Sequence, residues 1–369
     1  MARQEAKSIF ARVEGLPIII VFVLLLAMFM YTAPQVFLAP NIYTTFLTTL
    51  PPLILLAMGL TFVIGAGEID LCFPSIIAFS GFTFAVLFKE YNLGWFAIIA
   101  ALAAGLFIGF VNGLLVARVG IPSFMATLGT QFFWAGMATV ISGGKSYALR
   151  GVDQSTVWIF LVGRVGGDDP SRWWTQFSVQ ALWTALIVVG LWFILNRHRF
   201  GEHVLFLGDS NDVSRVVGVP VEREKIKLFT LMGGLAAIAA IMLTLENKNY
   251  FGNQGQGYLL TAIAAVLIGG TSIFGGRAII VGTVFGAFIM GMIEAGLVAS
   301  GLTGAWVRTV QGLIFLIAII FYLTVDEPHR RANFIARFRR PEPARPGTAA
   351  KEPAKAGKTT GPNPAKSLN

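Results

Sequence analysis

The sequence predicts an all-α integral membrane protein of about ten transmembrane helices, and three features lead there. Of 369 residues, 55% are hydrophobic and only 13% charged, where soluble domains carry roughly 25% charge. Mean hydropathy is +0.71, and the chain holds 41 Gly and 31 Phe, in keeping with the high Gly content of membrane helices. The apolar residues gather in ten stretches of about the length that crosses a ~30 Å hydrocarbon core. Such a balance cannot coat a water-soluble surface and excludes a soluble enzyme.

The stretches lie at 17–33, 44–65, 72–88, 94–117, 121–141, 178–195, 228–245, 259–274, 278–300 and 309–325. Residues 1–16 precede them as a basic cytoplasmic segment with Arg3, Lys7 and Arg12. The first stretch, at 17 residues, is longer than the apolar core of a secretory signal, about 7 to 15 residues, and reads as a retained span. Nine stretches contain no Asp, Glu, Lys or Arg; the ninth in order carries Glu294. The third and eighth are short enough to be tilted, broken or partly re-entrant. After 325 comes a cytoplasmic tail, 326–369, whose last part is Pro, Ala, Lys and Gly without an aromatic residue, a composition that predicts disorder.

Counting Lys and Arg on alternate sides of the spans gives 21 on the side of the N-terminus against 7 on the other. Without the five beyond residue 340 the ratio is still 16 to 7, which places both termini in the cytoplasm. The net charge of +9 is therefore a topological signal and needs no nucleic-acid partner. Cys72 stands alone, so no intrachain disulfide forms, and His198, His203 and His329 offer no metal-ligand spacing.

The longest cytoplasmic loop, 196–227, contains a short helix between Asp209 and Gly218. Asp209 or Ser210 can cap its start, Asp212 adds negative charge to the first turn, and Gly218 suits the left-handed residue after its end. Val213, Val216 and Val217 share one face while Asp212 and Arg215 lie elsewhere. A helix this short is marginal alone and needs either the parent bundle or a docked partner. Between spans two and three, Gly65-Ala66-Gly67-Glu68-Ile69-Asp70-Leu71-Cys72-Phe73-Pro74-Ser75 reads equally as a broken helix at a transport site or as a tight turn with solvated acids. Polar residues inside spans, Asn112, Thr127, Thr130, Gln131 and Glu294, face the bundle interior, and Glu294 could also reach to water. Gly105, Gly109 and Gly113, and Gly282 with Gly286, repeat every four residues and mark packing seams. The outer loop 142–177 carries an apolar run, Val157–Val162, and Trp173-Trp174, an interfacial segment or a docking surface. Gly144-Lys145-Ser146 lacks the upstream glycine of a phosphate loop, where Thr139 stands, and Gly252–Gly257 follows no strand. The chain has no ATPase motif; ATP-driven work requires another subunit.

Several of these stretches together resemble the ribose-type sugar permeases of bacterial ABC importers, relatives of the branched-chain amino acid permeases. The resemblance runs from about Leu53 to Leu323. It is carried by Gly67-Glu68-Ile69-Asp70-Leu71 through Ser75, by Asn112-Gly113, and by Ile121-Pro122-Ser123-Phe124 with Thr127-Leu128-Gly129-Thr130. Gly208–Gly218 with Val219, Lys225 and Ile226, and Ala262–Ser272 with Gly275-Gly276, complete it. Cys72, Phe73 and Pro74 depart from the usual Ser-Val-Gly, and Glu294 stands where relatives often have a neutral amide.

The resemblance implies a type II ABC importer-like permease fold in the bacterial inner membrane and import of a monosaccharide or polyol. Import of branched-chain amino acids or another small polar solute is the alternative, with a stand-alone secondary transporter behind it. It also implies a second permease copy, a periplasmic solute-binding protein, and a cytoplasmic ABC ATPase that holds the ATP and Mg, with no cofactor in this chain. Coupling to the ATPase is expected at Asp209, Ser210, Asp212, Val213, Arg215, Val216, Val217 and Gly218, and the translocation pathway at Asp70, Asn112, Thr127, Gln131, Thr271 and Glu294.

Overall fold

A computed structural model describes residues 15–166, 176–302 and 304–325. The basic residues at 3, 7 and 12, the tryptophan pair at 173–174 and the tail from 326 lie outside the described residues. Residues up to Tyr322 form one compact unit; the second begins at Leu323.

Ten apolar helices correspond one to one with the ten stretches of the sequence, six of them long enough to cross a bilayer and four shorter. The first, α1 (Leu16–Thr32), is followed by a single turn, α2 (Pro34–Phe37), and by α3 (Pro40–Gly65). Next come α4 (Phe73–Lys89), α5 (Gly94–Leu114) and α6 (Ser123–Ser142). A π-helical turn, Leu115–Val119, extends α5 and stops at Gly120, whose φ of 81° permits the reversal toward α6. A surface turn, α7 (Thr156–Leu161), precedes α8 (Val179–Arg197), and two short helices follow, α9 (Arg199–Asp209) and α10 (Asn211–Val216). The chain re-enters the bundle as α11 (Val221–Glu246) and ends in α12 (Tyr258–Ile268), α13 (Ile280–Ala299) and α14 (Gly304–Val325). Because α11 begins at Val221, about two turns of it occupy residues that the sequence reading placed in the loop 196–227.

The core is built on α3 and α11, which are buried along most of their length, whereas α6 and α8 are buried along less than a quarter. Small residues set this arrangement. An added Cβ on Gly105 would lie 2.6 Å from the Gly233 carbonyl, and one on Gly113 would lie 2.7 Å from Ile226 Cα. The glycine seam of α5 therefore lets its backbone rest directly on α11. Gly282 and Gly286 do the same for α13 against α12.

The eighth stretch is a half-helix. At 11 residues, α12 is roughly 16 Å long, about half of a hydrocarbon core. The irregular stretch 269–279 that follows satisfies its backbone inside the protein: Ser272 N donates to Arg277 O (2.9 Å), Ile279 N to Thr271 Oγ1 (3.2 Å) and Gly276 N to Gly65 O (2.9 Å). Non-helical backbone at such a place is tolerated only when it is buried in protein or lines a cavity.

The two ends of the bundle differ. One, the basic end, gathers the loop 66–72, α9, α10 and the stretch 270–278, with Arg118, Arg197, Arg199, Arg215, Arg223, Lys225, Lys227 and Arg277. At the opposite end β1 (Tyr147–Ala148) pairs with β2 (Asn249–Tyr250) in antiparallel register. There Arg164 binds Glu246 (2.7 Å), and Gln180 Nε2 donates to Thr48 O (2.6 Å). The run Val157–Val162 forms most of α7 and packs on α8, with Val157 and Val162 buried and Ile159 and Phe160 exposed.

Candidate functional site

At the basic end, α9 starts at His198, whose Nδ1 accepts from Phe200 N (3.1 Å), and buries Gly201, Val204 and Leu207. Asp209 is the last residue of α9. The cap of α10 is Ser210, in extended backbone, with its hydroxyl accepting from Val213 N (3.4 Å). Gly218, with φ 88°, ends the unit; its N–H bonds Arg215 O (3.1 Å). Ser214 faces inward and is buried, while Val213 is 58%, Val216 87% and Val217 60% exposed. The three valines are thus not covered by the parent bundle among the described residues, and the apolar tip is open to a partner.

The loop 66–72 settles one alternative left open by the sequence, because its acids are not solvated. Glu68 is buried and pairs with Lys225 at the start of α11; Asp70 is fully buried. Two N–H groups of the loop are accepted by side chains of α6, Ile69 N by Ser123 Oγ and Leu71 N by Thr127 Oγ1, both at 3.1 Å. Asp70 Oδ1 accepts from Cys72 N (2.7 Å), while its Oδ2 has no partner among the described residues. Burial pushes the Asp70 carboxyl up to about 7, against the lowering effect of the Cys72 and Phe73 N–H groups. Beside it the Cys72 thiol contacts Ser75 (3.4 Å) and faces Thr130 and Asn112. Both amide atoms of Asn112 are buried without a partner among the described residues. A buried unpaired amide costs free energy, so this pocket between α4, α5 and α6 calls for a polar guest such as water.

The predicted pathway residues therefore separate into groups. Asp70 and Asn112 meet at Cys72, with Thr127 on the adjoining Leu71 N–H; Gln131 stands one turn beyond Thr127 on α6, its Oε1 without a partner among the described residues. Thr271 braces the stretch 269–279 through Ile279. Glu294 is remote from all of them. It lines a cavity of about 1010 Å³ between the first half of α3, the start of α12, the end of α13 and the start of α14. Thr45, Thr49, Tyr258, Arg308 and Gln311 share the wall with apolar Phe46, Leu50 and Val298. A carboxylate within a span is costly unless it meets water or a polar partner, and this cavity leaves room for one beside Glu294.

Two features were not foreseen. Phe200, Val204 and Leu207 stand at i, i+4 and i+7, a periodicity that marks α9 in the sequence. The meeting of Gly65, Gly67, Gly208, Gly275 and Gly276 has no such local signal, since the glycines come from three segments far apart in the chain.

Comparison with known proteins bears on the whole of this region. The family described as "Branched-chain amino acid transport system / permease component" matches residues 42–319, from the start of α3 to near the end of α14. The chain belongs to this permease family. Among its relatives, the ribose import permease of Escherichia coli K12 is 30% identical over 304 residues, 82% of this chain and 91% of that protein. The ribose import permease of Bacillus subtilis 168 is 32% identical over 72% of this chain and 80% of its own length. The L-arabinose transport system permease of E. coli K12 is 32% identical over 72% and 78%. No solved structure matches. The matched range takes in the loop 66–72, α9, α10, the stretch 269–279 and most of the cavity wall. Family and helices together make the chain a multi-pass inner membrane transport component.

Proposed function

We propose that the chain is the membrane-spanning permease subunit of an ATP-driven ABC importer for a monosaccharide or related polyol. The observation that carries this reading is the similarity to the ribose and L-arabinose permeases, over 82% and 72% of this chain. In this reading the basic end is cytoplasmic, as are both termini. A separate ATPase subunit holds ATP and Mg and docks on the exposed Val213, Val216 and Val217, flanked by Asp209, Ser210, Asp212, Arg215 and Gly218. A periplasmic binding protein delivers the solute at the opposite end, and a second permease copy completes the translocation unit. Solute passes the cavity at Glu294 and leaves past the polar groups of α5 and α6, Asn112, Thr127 and Gln131, with Asp70 and Thr271 shaping the inner mouth. The description of the family favours branched-chain amino acids as the second reading.

The test is reconstitution in liposomes with the ATPase and binding protein encoded beside it, followed by uptake of labelled ribose, arabinose, fructose and leucine with and without ATP. Uptake of a sugar that needs all components is expected. Uptake by the chain alone contradicts the reading in favour of a secondary carrier, and uptake of leucine but no sugar contradicts the substrate class.

A further inference from the structure

Five glycines from three segments meet at the basic end. A Cβ on Gly208, the next-to-last residue of α9, would overlap both the Gly276 nitrogen and the Gly65 carbonyl oxygen, which are themselves hydrogen-bonded at 2.9 Å. One on Gly275 would lie 2.5 Å from Gly208 Cα, and one on Gly276 would overlap the Asp209 carboxylate. Gly67, with φ 74°, faces Gly208 Cα and Phe274 O, each 3.6 Å from where its Cβ would stand. The backbones at Gly65, Gly208 and Gly275-Gly276 thus touch directly, with the Asp209 carboxylate against Gly276, and Gly67 borders them at ordinary van der Waals distance. Close-packed contacts of this kind transmit displacement rather than absorb it.

The contacts on either side of this joint lead in two directions. Toward the surface, only Asp209 separates Gly208 from Ser210, the cap of α10, whose valine tip is exposed. Toward the bundle, Gly67 continues into Glu68, paired with Lys225, and into Ile69 and Leu71, whose N–H groups are held by Ser123 and Thr127 of α6. Apart from this attachment α6 packs chiefly on α4 and leaves Phe124, Met125, Phe132 and Phe133 exposed. Within this chain the loop and α4 are thus its chief holds among the described residues.

We propose that Gly65, Gly208 and Gly276 form a backbone joint that passes movement of α9 and α10 through the loop 66–72 to Ser123 and Thr127, and so positions α6 during the transport cycle. These are positioning residues. The inference rests on the reading of α10 as the ATPase contact and adds the route by which that contact reaches the pathway helices. Energetic coupling through packed networks is established only by measurement.

The measurement is solute imported per ATP hydrolysed, in liposomes holding the complete complex with its binding protein, for three variants beside the wild type. Gly208→Ala wedges the joint open. Ser123→Ala releases the Ile69 N–H of the loop from α6 while leaving the joint intact. Val216→Asp strikes the docking tip instead. For the first two, the ATPase stays bound and hydrolyses ATP, while import per ATP falls at least about fivefold, the low end of coupling between sites. For Val216→Asp, the ATPase is lost from the complex. Import per ATP at the wild-type ratio in the first two overturns the joint, as does a proportional loss of hydrolysis and import, which marks a scaffold. If Gly208→Ala does not assemble, the Ser123→Ala variant decides by the same criteria. Retention of a coupled ATPase by Val216→Asp overturns the docking reading, an outcome distinct from failure of the joint.

Discussion

The basic end and the Glu294 cavity are both polar places in an apolar bundle, yet they are put together in opposite ways. At the basic end the loop is tied down by protein partners, with Asp70 Oδ2 and the Asn112 amide as exceptions among the described residues: Glu68 has Lys225, the loop N–H groups have Ser123 and Thr127, and Gly276 N has Gly65 O. Around Glu294 the side chains stand apart across about 1010 Å³, and no hydrogen bond holds the carboxylate among the described residues. Satisfied, backbone-tight contacts make a rigid piece that moves as a unit. Unsatisfied groups round an open space leave hydrogen-bonding capacity for something that comes and goes. The contrast separates a part that transmits from a part that admits.

The largest expected effect comes from the exposed tip of the transmitting end. Val216→Asp places a charge where the ATPase is proposed to dock, and burying a valine is worth about 1.5 to 3 kcal/mol. Uptake by the reconstituted complex should fall more than about tenfold, since 1.4 kcal/mol is a factor of ten. The melting temperature of the isolated permease should not change, because Val216 is 87% exposed in it. Normal uptake would return α10 to the role of a loop cover.

A smaller effect is expected from the satisfied network itself. Thr127→Val removes the acceptor of Leu71 N–H and leaves a part-buried donor unpaired, at about 1 kcal/mol. The purified permease should melt a few degrees lower, read by thermal aggregation or dye binding. An unchanged melting temperature would show that the loop is not held on α6.

Asp70 gives the smallest and most specific signal, a slope with pH. Its carboxyl is raised from 3.8 to about 7 by burial. Between these values the folded state holds a proton that the unfolded state has lost, so stability is greatest at the acidic end and falls as pH rises through about 7. Melting temperatures of the wild type measured from pH 5 to 8 should decline across that window, and Asp70→Asn should flatten the decline. Parallel curves would place the titration elsewhere.

The legible and illegible parts of the molecule divide along the same line. Each span was readable because lipid imposes a composition on about 20 residues at a time, and the short eighth stretch already announced the half-helix α12. The capped tip was readable because Ser210, the valines and Gly218 are a local pattern. The loop 66–72 was ambiguous: the residues that bury Glu68 and pair its backbone, Lys225, Ser123 and Thr127, are more than 50 positions away. For the same reason the glycine joint left no trace beyond the glycines themselves, and the group of pathway candidates did not show that Glu294 lies apart from Asp70, Asn112 and Thr127.

The division between the two ends is tested most directly by the solute side. In the complete complex, Glu294→Gln removes the carboxylate and keeps the shape. We expect a higher concentration of loaded binding protein for half-maximal uptake, with solute imported per ATP unchanged, whereas substitutions at the joint lower that ratio. A fall in import per ATP for Glu294→Gln, matching that of Gly208→Ala, would contradict the account, since the two ends would then perform one task.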